Sequence, residues 1–181
     1  MIYVFLANGF EEVEAFTPID YLRRCEELDV KTVGVGGKMV ESSHKITTIT
    51  DLTVFDIEHE KIEMVVLPGG MPGTINLEKC PQVIDAVNYC IKNKIPVAAI
   101  CAAPSILGHL GHLKGKNATC AEGFCDELIG AEYTGEPVEI DGNIITARGA
   151  GVANQFAFAL IGRLLGEDRV EKLKGSIRWA E

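Results

Sequence analysis

The chain has 181 residues, a length that suits one folded domain with a full hydrophobic core. Its formal net charge of −9 argues against sequence-independent binding of nucleic acid, which needs clustered lysine and arginine side chains. No apolar run approaches the roughly 18–20 residues of a membrane-spanning helix, so we expect neither nucleic acid nor a membrane as a partner.

The six cysteines form neither a CxxC pair nor a spacing typical of a zinc site; they are Cys25, Cys80, Cys90, Cys101, Cys120 and Cys125. The sequence opens on an apolar run that we interpret as a strand, so we expect no signal peptide. We therefore expect a reducing, cytoplasmic setting, where an isolated cysteine is more often catalytic or redox-active than structural.

Strand and helix signals alternate along the chain. An apolar run over residues 2–7 predicts a strand buried on both faces, and a helix is expected from about Glu11, with Thr17 as N-cap if Pro18 begins its main section. Further patterns predict strands at 30–35, 64–67, 95–100 and 144–147, helices at 81–93 and 155–165, and a hairpin within 38–60. This alternation favours right-handed βαβ crossovers in one doubly wound α/β domain over residues 1–181, with a mostly parallel sheet and helices on both faces.

The strand at 95–100 stops at a lone thiol, Cys101, and the segment from Ala102 to Pro104 then opens a new helix. A strand, a sharp turn and a helix are the geometry of a nucleophile elbow, which exposes the side chain at its apex. The positive end of the helix dipole would lower the pKa of Cys101 and make it reactive. The alternative interpretation is a buried apolar thiol at the end of a strand.

Two other turns end strands at the same edge of the predicted sheet, where ligands bind in such folds. The first carries Glu11 and Glu12, which we interpret as complements of the helix dipole, and Glu14, which lies on the side facing the sheet. Burial there would raise the pKa of Glu14 and fit it for proton transfer. The second turn, Pro68-Gly69-Gly70, either brings backbone amides close to a reacting carbonyl or is an ordinary turn. The three turns together predict a site with a thiol, a carboxyl group and amide donors.

Four segments of the chain resemble the DJ-1/PfpI (ThiJ) superfamily, and they are most similar to its DJ-1 branch: Phe10-Glu11-Glu12-Val13-Glu14, Val66-Leu67-Pro68-Gly69-Gly70, Ala98-Ala99-Ile100-Cys101-Ala102-Ala103-Pro104 and Thr146-Ala147-Arg148-Gly149-Ala150-Gly151. The resemblance extends from Met1 to about Lys174. It implies a flavodoxin-like sandwich, usually a homodimer, that uses neither a metal nor an organic cofactor.

The resemblance also implies roles for individual residues. Cys101 matches the family's reactive, oxidation-prone cysteine, and Glu14 matches the buried, protonated glutamate that hydrogen-bonds it. Gly70 and Ala102 match the residues whose amides form an oxyanion hole, and Arg148 is a secondary candidate within the fourth segment. The branch is credited with glyoxalase activity on methylglyoxal, with protein deglycase activity, and with redox sensing or chaperone-like protection.

Two departures from the family pattern narrow these expectations. Ala102 follows Cys101 where the peptidase branch has a histidine, which argues against intracellular peptidase or glutamine amidotransferase chemistry. Cys120 stands where the DJ-1 branch often has a histidine, so a mechanism that needs that histidine is in doubt. Cys120 is then either a second thiol that resolves an oxidised Cys101 as a disulfide or a small apolar filler behind the site.

Four other polar side chains are expected to lie outside the site. His109 and His112 fall near the end of the helix after the elbow and are expected to face solvent. Arg24 and His44 align with a basic anion-binding pocket near the family's dimer surface, although solvated charges are the simpler interpretation.

Two classes of function follow. In the first, the Cys101 thiolate adds to the aldehyde of a small 2-oxoaldehyde and Glu14 moves the proton that converts the adduct into a hydroxy acid, with the amides of Gly70 and Ala102 stabilising the developing charge. This is glyoxalase or deglycase-type chemistry on a small carbonyl substrate. In the second, a non-enzymatic sensor of oxidative stress, Cys101 is oxidised to a sulfinate held by Glu14.

Overall fold

A computed structural model of the chain describes residues 1–180. The helices α1 to α6 are Glu12–Arg23, Gly73–Glu78, Pro81–Lys92, Pro104–His109, Ala153–Leu165 and Glu167–Ile177. The strands β1 to β11 are Ile2–Ala7, Val30–Val35, Met39–Glu41, Thr47–Ile49, Leu52–Thr53, Met64–Leu67, Val97–Ile100, Asn117–Ala118, Glu132–Tyr133, Val138–Asp141 and Ile144–Ala147. Among the described residues, no helix is both long and apolar enough to cross a membrane.

Seven strands form the central sheet in the order β10-β11-β7-β6-β1-β2-β5. Every neighbouring pair is parallel except β10 and β11, which pair antiparallel at one edge. The strand order reverses between β1 and β6, so the loops that follow these two strands leave the sheet in different directions and open a crevice between them. The predicted flavodoxin-like, doubly wound fold is confirmed.

Strand β1 lies between two hydrophobic layers. Ile2, Val4 and Leu6 pack into one layer with residues of α1, α5 and α6, while Tyr3 and Phe5 pack into the other with residues of α3 and α4. All of these β1 side chains are fully buried, because successive residues of a strand point to opposite faces. The continuous apolar run that opens the sequence is therefore a consequence of helices on both faces of the sheet.

The start of α1 corrects one expectation. Thr17 is not the N-cap: α1 already begins at Glu12, and the side chain of Glu11 caps it by accepting a hydrogen bond of 2.8 Å from the backbone N–H of Glu14. Pro18 lies inside the helix. This earlier cap satisfies an amide of the first turn, and it also fixes the backbone of Glu14.

Most of the other predicted elements are present. The strands predicted at 30–35, 64–67 and 144–147 have those bounds, and the hairpin within 38–60 is the antiparallel pair β3 and β4. The sequence did not predict α2, α6 or the short strands between residues 117 and 141. The pattern of apolar residues does not reveal α6, because this helix buries only Val170 and Leu173 and is otherwise polar or charged along most of its length.

Substitution of Gly108 tests how tightly α4 packs against the backbone at residues 127–129. A Cβ atom at Gly108 would lie 2.1 Å from the carbonyl oxygen of Glu127 and 2.8 Å from the backbone nitrogen of Ile129. We expect Gly108→Ala to lower the free energy of unfolding by about 1–3 kcal/mol, because neighbouring backbone must move.

The matched control is Gly175→Ala in α6, where an added Cβ meets no atom within 4 Å. That substitution should raise the free energy of unfolding by up to about 1 kcal/mol through helix propensity. Urea unfolding of both variants measures the difference, and a similar change in the two proteins would contradict the tight packing of α4.

Candidate active site

Four chain segments meet at the carboxyl ends of neighbouring strands. The first turn of α1 follows β1, residues 68–70 follow β6, the elbow at Cys101 follows β7, and residues 148–152 follow β11. The predicted convergence of a thiol, a carboxyl group and backbone amides is therefore present at this edge of the sheet.

Cys101 occupies the apex of a strained elbow. Its φ of 66° lies in the left-handed region, which costs a non-glycine residue about 1–3 kcal/mol unless its surroundings hold it there. The backbone is held on both sides: the N–H of Cys101 donates to the carbonyl of Ala147 at 2.8 Å, and its own carbonyl accepts from the N–H of Ala121 at 2.9 Å. The side chain is thus fixed at the end of β7 while remaining partly exposed.

Glu14 lies beside this thiol and is almost fully buried, with 1% of its surface exposed. Its Oε2 atom accepts a hydrogen bond of 3.0 Å from the N–H of Gly69, and the N–H of Ala150 and the thiol of Cys101 also interact with its carboxyl group and favour its ionised form. A Cβ atom at Gly69 would lie 2.7 Å from both the Cβ of Cys101 and Oε2 of Glu14. Only glycine at this position leaves room for the acid and the thiol to meet.

Burial raises the pKa of Glu14 from its ordinary value of 4.5 to about 7. The hydrogen bond to Cys101 and the amides of Gly69 and Ala150 act in the opposite direction, whereas the charge of Glu11 adds to the increase. The direction agrees with the sequence-based expectation. A carboxyl group with a pKa near 7 both accepts and releases protons readily at neutral pH.

Burial also raises the pKa of Cys101, to about 12, and the carboxylate of Glu14 adds to this effect. The expectation of a lowered pKa is therefore wrong: α4 has only six residues, and burial together with the carboxylate outweighs the local amides. The contribution from the carboxylate is present only while Glu14 is ionised. A proton on Glu14 therefore favours negative charge on the sulfur.

Two backbone amides face the sulfur of Cys101. The N–H groups of Gly70 and Ala102 interact with this atom and stabilise its ionised form. They come from the loops after β6 and β7, on two sides of the thiol. These are the two amides that the family resemblance implies for an oxyanion hole, and the structure brings both to the nucleophile.

Arg148 lies at the rim of this site. Together with residues 149–152 it lines an open surface depression of about 310 Å³. The floor of the depression adjoins Glu14, because the N–H of Ala150 bonds its carboxyl group. The Arg148 guanidinium is exposed and contacts the carbonyl of Gly135 at 3.4 Å, so it places a positive charge near the entrance.

Cys120 is completely buried. It directly precedes Ala121, whose N–H bonds the carbonyl of Cys101 at the elbow. Its thiol donates to the carbonyl of Ala121 at 3.2 Å, and the charge of Cys101 is among the groups that raise its pKa. The structure thus places Cys120 close to Cys101. Sequence patterns assigned no role to Cys125, although this thiol also interacts with Cys120.

The histidines near the end of α4 bond groups away from the nucleophile. His109 contacts the carboxylates of Glu127 at 2.8 Å and Glu78 at 2.5 Å, and both raise its pKa. His112 differs from the expectation of a solvent-facing side chain: it is half-buried, bonds Asn88 at 2.7 Å, and burial lowers its pKa.

Within one chain, Arg24 and His44 lie at opposite ends of α1. His44 bonds Glu12 at the start of α1 at 2.7 Å, while Arg24 pairs with Asp20 at the end of the helix at 2.9 Å. A helix of this length spans about 18 Å, so one chain alone does not bring the two side chains into one basic pocket.

Glu12 does more than complement the helix dipole, which corrects its interpretation from the sequence. Burial opposes its ionisation, but hydrogen bonds from His44 and Ser42 lower its pKa to about 2. Single ligand atoms of Glu11, Glu12 and His44 lie within 4.8 Å of one another, a set that could surround a cation. Both oxygens of Glu12 are already hydrogen-bonded, so this side chain holds the loop at residues 42–44 against α1.

The profile of the DJ-1/PfpI family matches residues 1–163. The chain belongs to the DJ-1/PfpI family. It is 35% identical to protein DJ-1 homolog B of Arabidopsis thaliana over 175 residues, which cover 95% of this chain but 40% of that relative. It is also similar to a Caenorhabditis elegans protein named as a glutathione-independent glyoxalase, with 28% identity over 90% of this chain and 87% of the relative.

Solved structures of DJ-1 proteins have the same fold. The crystal structure of a mutant DJ-1 superfamily protein from Salmonella typhimurium superimposes with a TM-score of 0.93 at 34% identity, covering 99% of this chain and 98% of the other. This DJ-1/PfpI chain spans about two fifths of the length of its Arabidopsis relative.

The raised pKa of Glu14 makes the stability of this DJ-1/PfpI protein depend on pH. The protonated carboxyl is favoured by folding, so its contribution is full below the unfolded pKa of about 4.5 and is lost as pH rises through about 7. Relative to Glu14→Gln, the wild type should lose about 3 kcal/mol of unfolding free energy between pH 4.5 and pH 8.

Urea unfolding of both proteins at several pH values measures this difference. The difference between the two proteins isolates the contribution of Glu14, because all other titratable groups, such as His44 and Glu12, are present in both. A difference between the two proteins that stays constant with pH would contradict the burial-driven pKa of Glu14.

Proposed function

We propose that this protein converts small 2-oxoaldehydes into 2-hydroxy acids without glutathione, with Cys101 as nucleophile and Glu14 as the proton-transfer group. One observation carries the proposal: the buried carboxyl group of Glu14 and the side chain of Cys101 meet across Gly69, where an added Cβ atom would lie 2.7 Å from each, and two backbone amides stabilise the ionised thiol. A nucleophile, a base with a pKa near 7 and a pair of oxyanion donors are the parts that this reaction needs.

The first step forms a hemithioacetal. Sγ of Cys101 attacks the aldehyde carbon, and the carboxylate of Glu14 accepts the thiol proton, so no free thiolate is needed beforehand. The raised pKa of Cys101 therefore does not prevent the attack. The N–H groups of Gly70 and Ala102 stabilise the negative charge that develops on the aldehyde oxygen.

The second step moves a proton between the two carbons of the adduct. Glu14 first returns the thiol proton to the oxyanion, which completes the hemithioacetal, and its carboxylate then removes the proton from the former aldehyde carbon and passes it to the ketone oxygen, so that an enediol forms. Glu14 next takes the proton of the hydroxyl group on the former aldehyde carbon and delivers it to the neighbouring carbon. The former aldehyde carbon is oxidised to a thioester as the ketone carbon is reduced to an alcohol, so no external oxidant is required. Water then hydrolyses the thioester, which releases the 2-hydroxy acid and regenerates the thiol.

The surroundings of the site favour a small substrate. The depression beside Glu14 is shallow and open, and Arg148 at its rim would attract the carboxylate of the product. The C. elegans relative named as a glyoxalase supports this class of reaction. Deglycase-type chemistry on early adducts of the same aldehydes would use the same nucleophile. The homodimer that the family resemblance implies and the cytoplasmic location expected from the cysteine usage stay predictions.

Methylglyoxal turnover in the absence of glutathione tests the proposal. We expect Cys101→Ser and Glu14→Gln each to lower kcat/KM by about 100-fold or more, the scale of nucleophilic and acid–base contributions. The measurement is lactate formed per unit time, with circular dichroism to confirm that each variant is folded.

Cys90→Ser is the matched control, because Cys90 is also a buried thiol with a pKa raised to about 12 but belongs to the hydrophobic core. Unchanged turnover in Glu14→Gln would remove this residue from the mechanism. No turnover by the wild type, with Cys101 still oxidised to a sulfinate by peroxide, would favour the sensor function instead.

A further inference from the structure

Three cysteines are gathered around one peptide unit at the elbow. The N–H of Ala121 donates to the carbonyl of Cys101 at 2.9 Å, which ties the loop to the nucleophile. The thiols of Cys120 and Cys125 both point at the carbonyl of Ala121, at 3.2 Å and 4.0 Å. Cys125 also donates to the carbonyl of Glu122 at 3.1 Å. The loop therefore holds two further thiols immediately behind the reactive one.

These thiols interact with one another as well as with the backbone. Burial raises the pKa of Cys120 to about 12, and the charge of Cys125, a hydrogen bond between the two thiols and the charge of Cys101 add to this increase. Cys120 therefore interacts with both of the other thiols. The hydroxyl group of Tyr133 bonds the sulfur of Cys125 on the outer side.

The three thiols differ in their exposure to solvent. Cys101 is partly exposed on the substrate side, Cys120 is completely buried, and Cys125 is partly exposed at the loop surface. An oxidant can thus reach one end of the series and a reductant the other, while the middle thiol is shielded from both.

We propose that Cys120 and Cys125 form a thiol relay that carries oxidation away from Cys101 and ends as a Cys120–Cys125 disulfide. The oxidant is a hydroperoxide and the reductant is a dithiol. The proposal rests on the reactivity of Cys101 but not on its 2-oxoaldehyde chemistry.

The relay has three balanced steps. Hydroperoxide transfers one oxygen to the sulfur of Cys101, which becomes a sulfenic acid as an alcohol or water leaves. The sulfur of Cys120 attacks that sulfur, water leaves, and a Cys101–Cys120 disulfide forms. The sulfur of Cys125 then attacks the sulfur of Cys120 and releases Cys101 as a thiol, whose ionised form the amides of Gly70 and Ala102 stabilise.

A dithiol reductant reaches Cys125 and restores both thiols by exchange, so two electrons pass from the reductant to the hydroperoxide in each cycle. Because the thiol of Cys120 is completely buried whereas Cys101 is partly exposed, we expect the attack of Cys120 to be slower than the oxidation of Cys101. A sulfenic acid at Cys101 should therefore accumulate briefly, and dimedone should trap it at early times.

Tryptic mapping of the whole protein distinguishes the two disulfides without any substitution. Cys101 lies in peptide 95–114, whereas Cys120 and Cys125 share peptide 117–148. After one equivalent of hydrogen peroxide and alkylation of free thiols, the relay predicts peptide 117–148 with an internal disulfide, two hydrogens lighter than the reduced peptide, and an alkylated Cys101. Oxidation confined to Cys101, as a sulfenic or sulfinic acid, with peptide 117–148 fully alkylated would overturn the proposal.

Single substitutions test the order of the steps. Cys125→Ser should stop the relay at a disulfide that joins peptides 95–114 and 117–148. Cys120→Ser should remove every intramolecular disulfide and raise the sulfinate yield at Cys101 at least several-fold. Cys101→Ser should abolish the internal disulfide of peptide 117–148, and its formation at the wild-type rate in that variant would also overturn the proposal.

Cys90→Ser controls for the introduction of a hydroxyl group at a buried cysteine, and its peptide map should match that of the wild type. Methylglyoxal turnover by the reduced wild type, measured without peroxide, is independent of these maps. Failure of that turnover with an intact internal disulfide would leave the relay standing and remove only the proposed 2-oxoaldehyde activity.

Discussion

The contact between the carboxyl group of Glu14 and the thiol of Cys101 depends on the absence of a single Cβ atom. Gly69 lies in the loop directly after β6, between the two side chains, and its N–H holds the carboxyl group at 3.0 Å. The order of the central sheet places β6 between β1 and β7, so the strand that supplies the glycine lies between those that supply the acid and the nucleophile. The doubly wound topology therefore determines which residues can meet.

This contact costs stability at two positions. A carboxyl group that burial keeps protonated near neutral pH and a cysteine with a left-handed backbone are both unfavourable by a few kcal/mol or less. The fully buried strand β1 and the two hydrophobic layers beside it offset these terms. The backbone strain lies at Cys101, the residue that presents the reacting thiol, whereas the hydrophobic layers beside the sheet are regularly packed.

Sequence patterns predicted the sheet well because its central strands are apolar on both faces. The same patterns located Cys101 and Glu14, since both follow strands that end at one edge. They could not predict the direction of the pKa of Cys101, because a helix N-terminus is visible in sequence whereas burial and the distance to Glu14 are not. The capping role of Glu11 and the position of Cys125 also depend on loops that carry no periodic signal, so both required the structure.

The loop behind the elbow is held both by the elbow and by the short helix that follows it. Ala121 bonds Cys101 at the apex of the elbow, and the backbone at Glu127 lies directly against Gly108, near the far end of α4. His109 adds a contact from the helix to the side chain of Glu127. Amide hydrogens within this loop should consequently exchange with solvent in one cooperative opening together with α4, as a unit smaller than the whole domain. The nucleophile and the thiols behind it thus share a single local stability.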